Sequence, residues 1–246
     1  MTRLPRTRTA RRAAAATATL AVLFTSSLGV AGARPVGAFD VGGAIEVEFD
    51  QAGGQAVLGD PTGPELDAAA GGRYQVFAEN AAIYWRGDVG AHAVAGPVRD
   101  KWNSAGAEGG SLGYPVTRTL PTPGDTGRFT HFQNGSVYWS VGTAAHTVAG
   151  KIRDKWGELG WEASPLGFPV TDESAGAKSG RYNLFNGGAI YYTQRTGAHA
   201  VWGVIRDKWI AAGAEGGRYG YPTSDEYDYE DGKAQDFEGG RITWEP

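Results

Sequence analysis

The chain has 246 residues, 41% hydrophobic and 20% charged, with a formal net charge of −4. That balance fits one or two globular domains with a sizeable core, and its acidic sign argues against nucleic-acid or anionic-lipid partners, which draw on clustered Lys and Arg. Cys is absent, which excludes disulfides, thiolate metal sites and thiol nucleophiles, and 39 glycines without a triplet period beside 11% aromatics point to many tight turns between short strands.

Residues 1–33 read as a signal peptide: a basic start (Arg3, Arg6, Arg8, Arg11, Arg12), an alanine-rich apolar stretch to about Val30, and the small-x-small signature Ala31-Gly32-Ala33. The apolar stretch is nearly long enough to be a membrane anchor, but its Thr and Ser content and the cleavage signature argue against that. Arg11-Arg12 leaves Sec and twin-arginine export both open. Cleavage removes five arginines and takes the charge from −4 to −9, so the mature chain is expected to be secreted or held at the cell envelope, without a membrane segment. Residues 34–43 read as an N-terminal linker.

The rest of the chain repeats itself. Leu58-Gly59-Asp60-Pro61 recurs as Leu112-Gly113-Tyr114-Pro115, Leu166-Gly167-Phe168-Pro169 and Tyr219-Gly220-Tyr221-Pro222, at intervals close to 54 residues. Val98-Arg99-Asp100-Lys101-Trp102 keeps the same beat, returning at Ile152–Trp156 and Ile205–Trp209. So does Ala91-His92-Ala93-Val94, at Ala145–Val148 and Ala198–Val201. The units span 44–95, 96–149, 150–203 and 204–246. The first carries Ile45–Phe49 where the others carry the Trp segment, and the last ends before any His segment.

Each unit has one plan. Val98, Trp102 and Ala105, at i, i+4 and i+7, predict a short helix that stops at Gly106 or, in the third unit, Gly160. The motif is a shaped corner, with Gly free to take positive φ and Pro fixing its own. A hairpin follows, with strands Arg128–Phe132 and Ser136–Ser140 around Asn134-Gly135, and the His segment forms a last strand. The fold class is therefore an α+β repeat protein, four units each of a short helix plus a small antiparallel sheet. The half-units at its ends suggest closure into a pseudo-symmetric ring.

These residues resemble the LGFP repeat. The resemblance rests on Leu166-Gly167-Phe168-Pro169 with Lys155-Trp156 upstream and Phe185–Tyr192 downstream, and it covers roughly residues 44–246. The first unit departs from the motif at Asp60. Such repeats occur in exported actinobacterial proteins, often appended to envelope enzymes. The resemblance implies a module that holds a protein to wall polysaccharide of the arabinogalactan or peptidoglycan type, with no catalytic activity carried over.

A catalytic group should be singular. His92, His146 and His199 share one repeat position, as do Asp100, Asp154 and Asp207, which favours scaffold or multivalent contacts over catalysis. His131, the unrepeated histidine, reads as a surface residue. There is no Gly-x-Ser-x-Gly elbow or His-Glu-x-x-His helix, and the carboxylates Asp225, Glu226, Asp228, Glu230 and Asp231 read as a solvated loop rather than a Ca²⁺ site or glycosidase pair. The expectation is a non-enzyme with no cofactor and no metal. Its partner is cell-wall glycan or, alternatively, an exported envelope protein for which it is an interaction scaffold. A wall hydrolase using the acidic loop is the weakest reading.

The candidate binding residues are aromatic rings and the histidines. Ile83, Val137, Ile190 and Ile242, with Trp85, Trp139, Tyr192 and Trp244 two residues on, mark the core face of the hairpin. Tyr84, Tyr138 and Tyr191 lie on the opposite face, free to meet a sugar or to pack on a neighbouring unit. Trp161 stands where other units carry Ala107 and Ala214, and Trp202 where they carry Ala95 and Ala149, so the scaffold requires neither ring. Trp161→Ala is accordingly expected to leave the melting temperature nearly unchanged. Trp161, Trp202, the three tyrosines and His92, His146 and His199 are the predicted binding set.

Overall fold

The computed structural model describes residues 32–246, so the predicted signal peptide lies outside it except for its last two residues. In chain order the elements are β1 (Arg34–Val36), β2 (Phe39–Val41), α1 (Gly43–Gln51), α2 (Gln55–Leu58), β3 (Leu66–Asp67), β4 (Arg73–Phe77), β5 (Ala81–Arg86), β6 (Gly90–Ala95) and α3 (Gly96–Ser104). The pattern then repeats as β7 (Leu120–Pro121), β8 (Gly127–Phe132), β9 (Gly135–Ser140), β10 (Ala144–Ala149) and α4 (Gly150–Leu159). It repeats again as β11 (Ser174–Ala175), β12 (Arg181–Phe185), β13 (Gly188–Thr193), β14 (Gly197–Trp202) and α5 (Gly203–Ala211), and ends with β15 (Tyr227–Tyr229), β16 (Gly232–Phe237) and β17 (Gly240–Trp244). Each internal unit is a four-stranded antiparallel meander followed by a helix, and the last sheet has three strands. The predicted hairpins and helices fall where the periodicity puts them, and Gly160 closes α4 in the left-handed region at φ 104°.

Helices and sheets alternate as layers. Ile45 and Phe49 of α1 pack on one face of the first sheet, against Phe77, Ile83 and Ala93. The other face of that sheet, with Tyr84 and Val94, packs on Val98 and Trp102 of α3, whose far side meets Val137 of the second sheet. The same alternation continues through α4 and α5. Every internal sheet is therefore buried on both faces, so of the two alternatives left open for the Tyr face the structure shows packing on a neighbouring unit. A sheet between two helices needs apolar residues at every position of its central strand, and Ala81 to Tyr84 are buried without a break.

The ends are adapted to having one neighbour. Residues 34–43, read as a linker, fold as the β1–β2 hairpin that covers α1, with Val41 wholly buried. At the other end, the outer face of the last sheet carries Asp236, Arg241 and Thr243. The internal units carry Val76, Ala82 and Tyr84 at those places. Arg241 pairs with Asp236 at 2.7 Å, and Thr243 is exposed: the polar outer face of a terminal repeat. No hydrogen bond, ion pair or core cluster among the described residues joins the first unit to the last, so ring closure is not shown. Their hydrogen bonds and core clusters join neighbouring units, and the longest reach is from Lys101 to Asp172.

The motif is the staple between units. Its Pro bridges the hairpin Phe in all four, Pro61 with Phe77 through Pro222 with Phe237. Its aromatic lies over a glycine of the preceding sheet. A Cβ at Gly180 would come within 2.1 Å of the Tyr221 hydroxyl, and one at Gly127 within 2.7 Å of the Phe168 ring, so both positions are kept bare. In the first unit Asp60 takes the aromatic's place and lies against Gly37 of the β1–β2 turn, where a Cβ would come within 2.9 Å of its carboxyl carbon. Buried amides add a second tie. Gln235 donates to Ala200 O and Ser224 O at 2.8 Å, holding its own motif loop to the last strand of the previous sheet, and Asn183 and Gln75 do the same one and three units earlier.

Candidate functional site

The repeated ionisable and aromatic side chains are absorbed by the scaffold. Tyr84, Tyr138 and Tyr191 are 6%, 2% and 7% exposed. Each meets a helix Trp edge-on, with ring centroids 4.7, 4.5 and 4.8 Å from those of Trp102, Trp156 and Trp209. Burial pushes the Tyr84 hydroxyl up to about 12, with the nearby Glu108 carboxylate adding to it. None of the three can offer a ring to a sugar, so the binding role predicted for them is replaced by packing between units.

The histidines clamp turns. Nε2 of His92, His146 and His199 lies 2.9, 2.7 and 2.9 Å from the carbonyl three residues earlier, on Val89, Thr143 and Thr196. Nδ1 of His146 and His199 faces Asp172 and Asp225 at 3.6 and 3.5 Å. Those carboxylates cap the next backbone N–H, Thr147 at 2.9 Å and Ala200 at 3.0 Å, on the edge strand of the sheet. These contacts give the three partly exposed histidines a structural role in the turn and at the sheet edge. The acidic loop is dispersed: Asp225 turns into this edge cap and Asp228 pairs with Lys233. Among the described residues no three His, Asp or Glu side chains converge as metal ligands would.

Trp161 and Trp202 are partly exposed, and both pack on the core between the second and third sheets. Trp161 has a place built for it. Its backbone takes φ 58°, as Ala107 and Ala214 take 49° and 50° at the equivalent corner. Its ring lies back on α4, where Gly157 leaves room: a Cβ there would sit 2.7 Å from the indole. Trp156 meets it edge-on at 5.3 Å, and the Arg153 guanidinium lies 5.2 Å from its centre. The comparison of sister units missed this compensation, because they carry Asn103 and Ile210 where Gly157 opens the space. Trp161→Ala should therefore lower stability, by about 2 kcal/mol for a partly buried large-to-small change.

The same cluster takes in His131, read from sequence as a surface residue. Its Nδ1 is 2.7 Å from Ser136 Oγ and 3.2 Å from Arg153 Nη2, while Arg153 Nε donates to Ser136 Oγ at 2.5 Å. Ser136 is wholly buried, so the pair cannot serve as nucleophile and base toward a substrate. Burial, helped by Arg153, pushes His131 down from 6.5 to about 4. The unfolded chain then takes up its proton first, so this site withdraws stability as pH falls from 6.5 toward 4 and costs nothing above that window. His131→Leu, the residue at this place in the third unit (Leu184), is expected to flatten the fall in melting temperature between those pH values. An unchanged slope would mean that His131 titrates normally.

Four in-register units sharing one core plan, one motif staple and one edge cap are what a repeat family must show. The LGFP repeat family matches residues 58–110, 112–164, 166–217 and 220–246. The chain belongs to the LGFP repeat family. A search of curated proteins finds no match to the array. Among the described residues no helix of the array is long and apolar enough to cross a membrane.

Proposed function

We propose that the LGFP array is an exported, non-catalytic module that binds cell-envelope glycan and anchors itself, or a protein joined to it, to the wall. The observation that carries this reading is a division of labour. The repeated tyrosines are buried between units and the repeated histidines bond their own turns, whereas indole rings at unit-specific places, Trp161 and Trp202, keep part of their surface open, Trp161 beside the Arg153 guanidinium. Sugar C–H faces stack on such rings while neighbouring polar groups bond the hydroxyls. Weak sites on one rigid array gain affinity through effective concentration.

The test is retention of the mature protein on purified wall, on mycolate-stripped wall and on arabinogalactan-stripped wall. Retention that free oligosaccharide competes away supports the reading. No retention on any fraction ends it, and co-purification of one protein at fixed stoichiometry without glycan binding would replace it with an interaction scaffold.

A further inference from the structure

One row of side chains recurs in all four sheets, at the rim of the face that receives the preceding helix. In the first sheet, Arg73 of β4 stands directly opposite Trp85 of β5. The same register places Arg128 opposite Trp139, Arg181 opposite Tyr192 and Lys233 opposite Trp244. Directly paired residues on one face lie about 5 Å apart, close enough for ring and cation to share a ligand. A carboxylate completes each row. Arg73 pairs with Asp67 and Glu65, both at 2.9 Å, and Arg181 with Glu173 at 2.8 Å. Arg128 pairs with Asp125 and Lys233 with Asp228.

Each ring packs one edge on a core cluster and keeps part of its surface open. One step inward on the same face the residues are wholly buried: Gln75 with Ile83 in the first sheet, Gln235 at the same place in the last. The rim row stays accessible. All four aromatics are partly exposed, and the side chains of Arg73, Arg128 and Lys233 are about 40% exposed and that of Arg181 60%. The buried amide position tolerates Thr130 in the second unit, yet the solvent-open rim carries a cation and a large ring every time. At the two ends of the array the row opens into a cavity. One of about 360 Å³ is lined by Trp85, Arg73, Glu65 and the backbone of Gly42 and Gly43. Another, of about 350 Å³, is lined by Trp244, Lys233, Asp228 and Asp231. Both lie at the small end of ligand sites, about 300–1,000 Å³.

Deepening the glycan reading above, on which this rests, we infer that the ring–cation–carboxylate row of each sheet is a saccharide subsite and that the four rows together hold a neutral, hydroxyl-rich polysaccharide. The ring supplies the stacking face. The paired cation and carboxylate offer a fixed donor beside a fixed acceptor, the complement of vicinal hydroxyls. Because each cation is matched or outnumbered by carboxylates, no row carries a net positive charge to draw a phosphate or uronate. Four subsites at one per unit favour a long chain over a short oligosaccharide.

The experiment measures retention of the full mature chain on immobilised arabinogalactan, at low and high salt, for the wild type and for R73A/R128A/R181A/K233A. These side chains are exposed enough for removal to leave the sheets intact, which circular dichroism checks. The expected result is salt-insensitive retention of the wild type and at least about tenfold weaker binding by the folded quadruple variant. Wild-type affinity in that variant overturns the inference and leaves the glycan reading standing. Should the quadruple variant not fold, R181A and W244A decide instead: weakened binding supports the rows, and unchanged binding by both overturns them. Retention abolished by salt overturns the neutral ligand. A wild type that does not bind arabinogalactan overturns the inference, and retention on the wall fractions above then decides the glycan reading.

Discussion

Trp156→Ala is expected to lower the stability of the array by about 3–5 kcal/mol, measured by urea or thermal unfolding, because it opens a cavity where two sheets and a helix meet. Trp156 is wholly buried. Its ring touches Tyr138 of the sheet before it and Phe185 of the sheet after it, with centroids 4.5 and 5.3 Å away, so one truncation loosens both sides of α4. In a stack of layers each helix fills the core between its two neighbouring sheets, and the loss cannot be shared by a larger core. Trp102 and Trp209 hold the same place in the units on either side, with one chemical difference. Their indole N–H groups donate to Gly113 O at 3.2 Å and Gly220 O at 2.9 Å, whereas that of Trp156 has no acceptor among the described residues. Replacement by Phe, which removes the donor and keeps much of the ring, should therefore be milder at 156 than at 102 or 209. A Trp156→Ala protein that melts with the wild type would mean that the helix–sheet layering is wrong.

Much of the fold is legible in the residues, and what is not has identifiable physical causes. The 54-residue beat, the Asn134-Gly135 turn and the i, i+4, i+7 spacing of Val98, Trp102 and Ala105 locate the strands and helices without further help, because each is a local signal. The layering is not local. Whether Tyr84 faces solvent or a second helix depends on α3 folding back across its own sheet, and a strand buried on both faces differs from a half-buried one only in its non-aromatic positions, here Ala81 and Ala82. The alternating Ile45-Glu46-Val47-Glu48-Phe49 has the period of a strand, yet folds as α1 because Ile45 and Phe49 also satisfy i, i+4 and the first sheet waits to cover them. Trp161 misleads for a related reason. A sister unit with Ala shows that the scaffold survives without the ring, but not that this unit does, since Gly157 and Arg153 have been fitted to it. The rim row was hidden in the opposite way. Trp85, Trp139, Tyr192 and Trp244 share the period of the core and pack on its rim, so their pattern does not separate them from buried positions.

A reversed ion pair inside the array supplies the second large prediction. Lys155 of α4 pairs with Asp225 of the fourth motif loop at 3.0 Å, and Lys101 with Asp172 one unit earlier. At the first interface the same two places carry Glu48 and Arg118, 2.8 Å apart, with the charges exchanged. What stays constant is that an anion caps the edge-strand N–H after the histidine position. Glu48 accepts from Ala93 at 3.0 Å from the helix side, where Asp225 accepts from Ala200 from the loop side. At each interface a cation pairs with that anion, which is buried at Glu48 and part-exposed at Asp172 and Asp225. Burial by itself would raise the Asp225 carboxyl, but His199, the Ala200 N–H and Lys155 outweigh it and hold the group down from 3.8 to about 2. The stability this contributes is fully present above about pH 4 and is lost as pH falls through about 2, so Asp225→Asn should remove an acid-sensitive part of the unfolding profile in that window. Lys155→Glu sets two carboxylates face to face and should cost about 2 kcal/mol or more. Lys155→Glu with Asp225→Arg recreates the Glu48–Arg118 arrangement and should recover most of that loss, a favourable coupling readable from a double-mutant cycle by denaturant unfolding. If the double variant is as unstable as the two single losses added together, the exchange at the first interface does not transfer to this one, and the edge cap depends on which side of the interface supplies the anion.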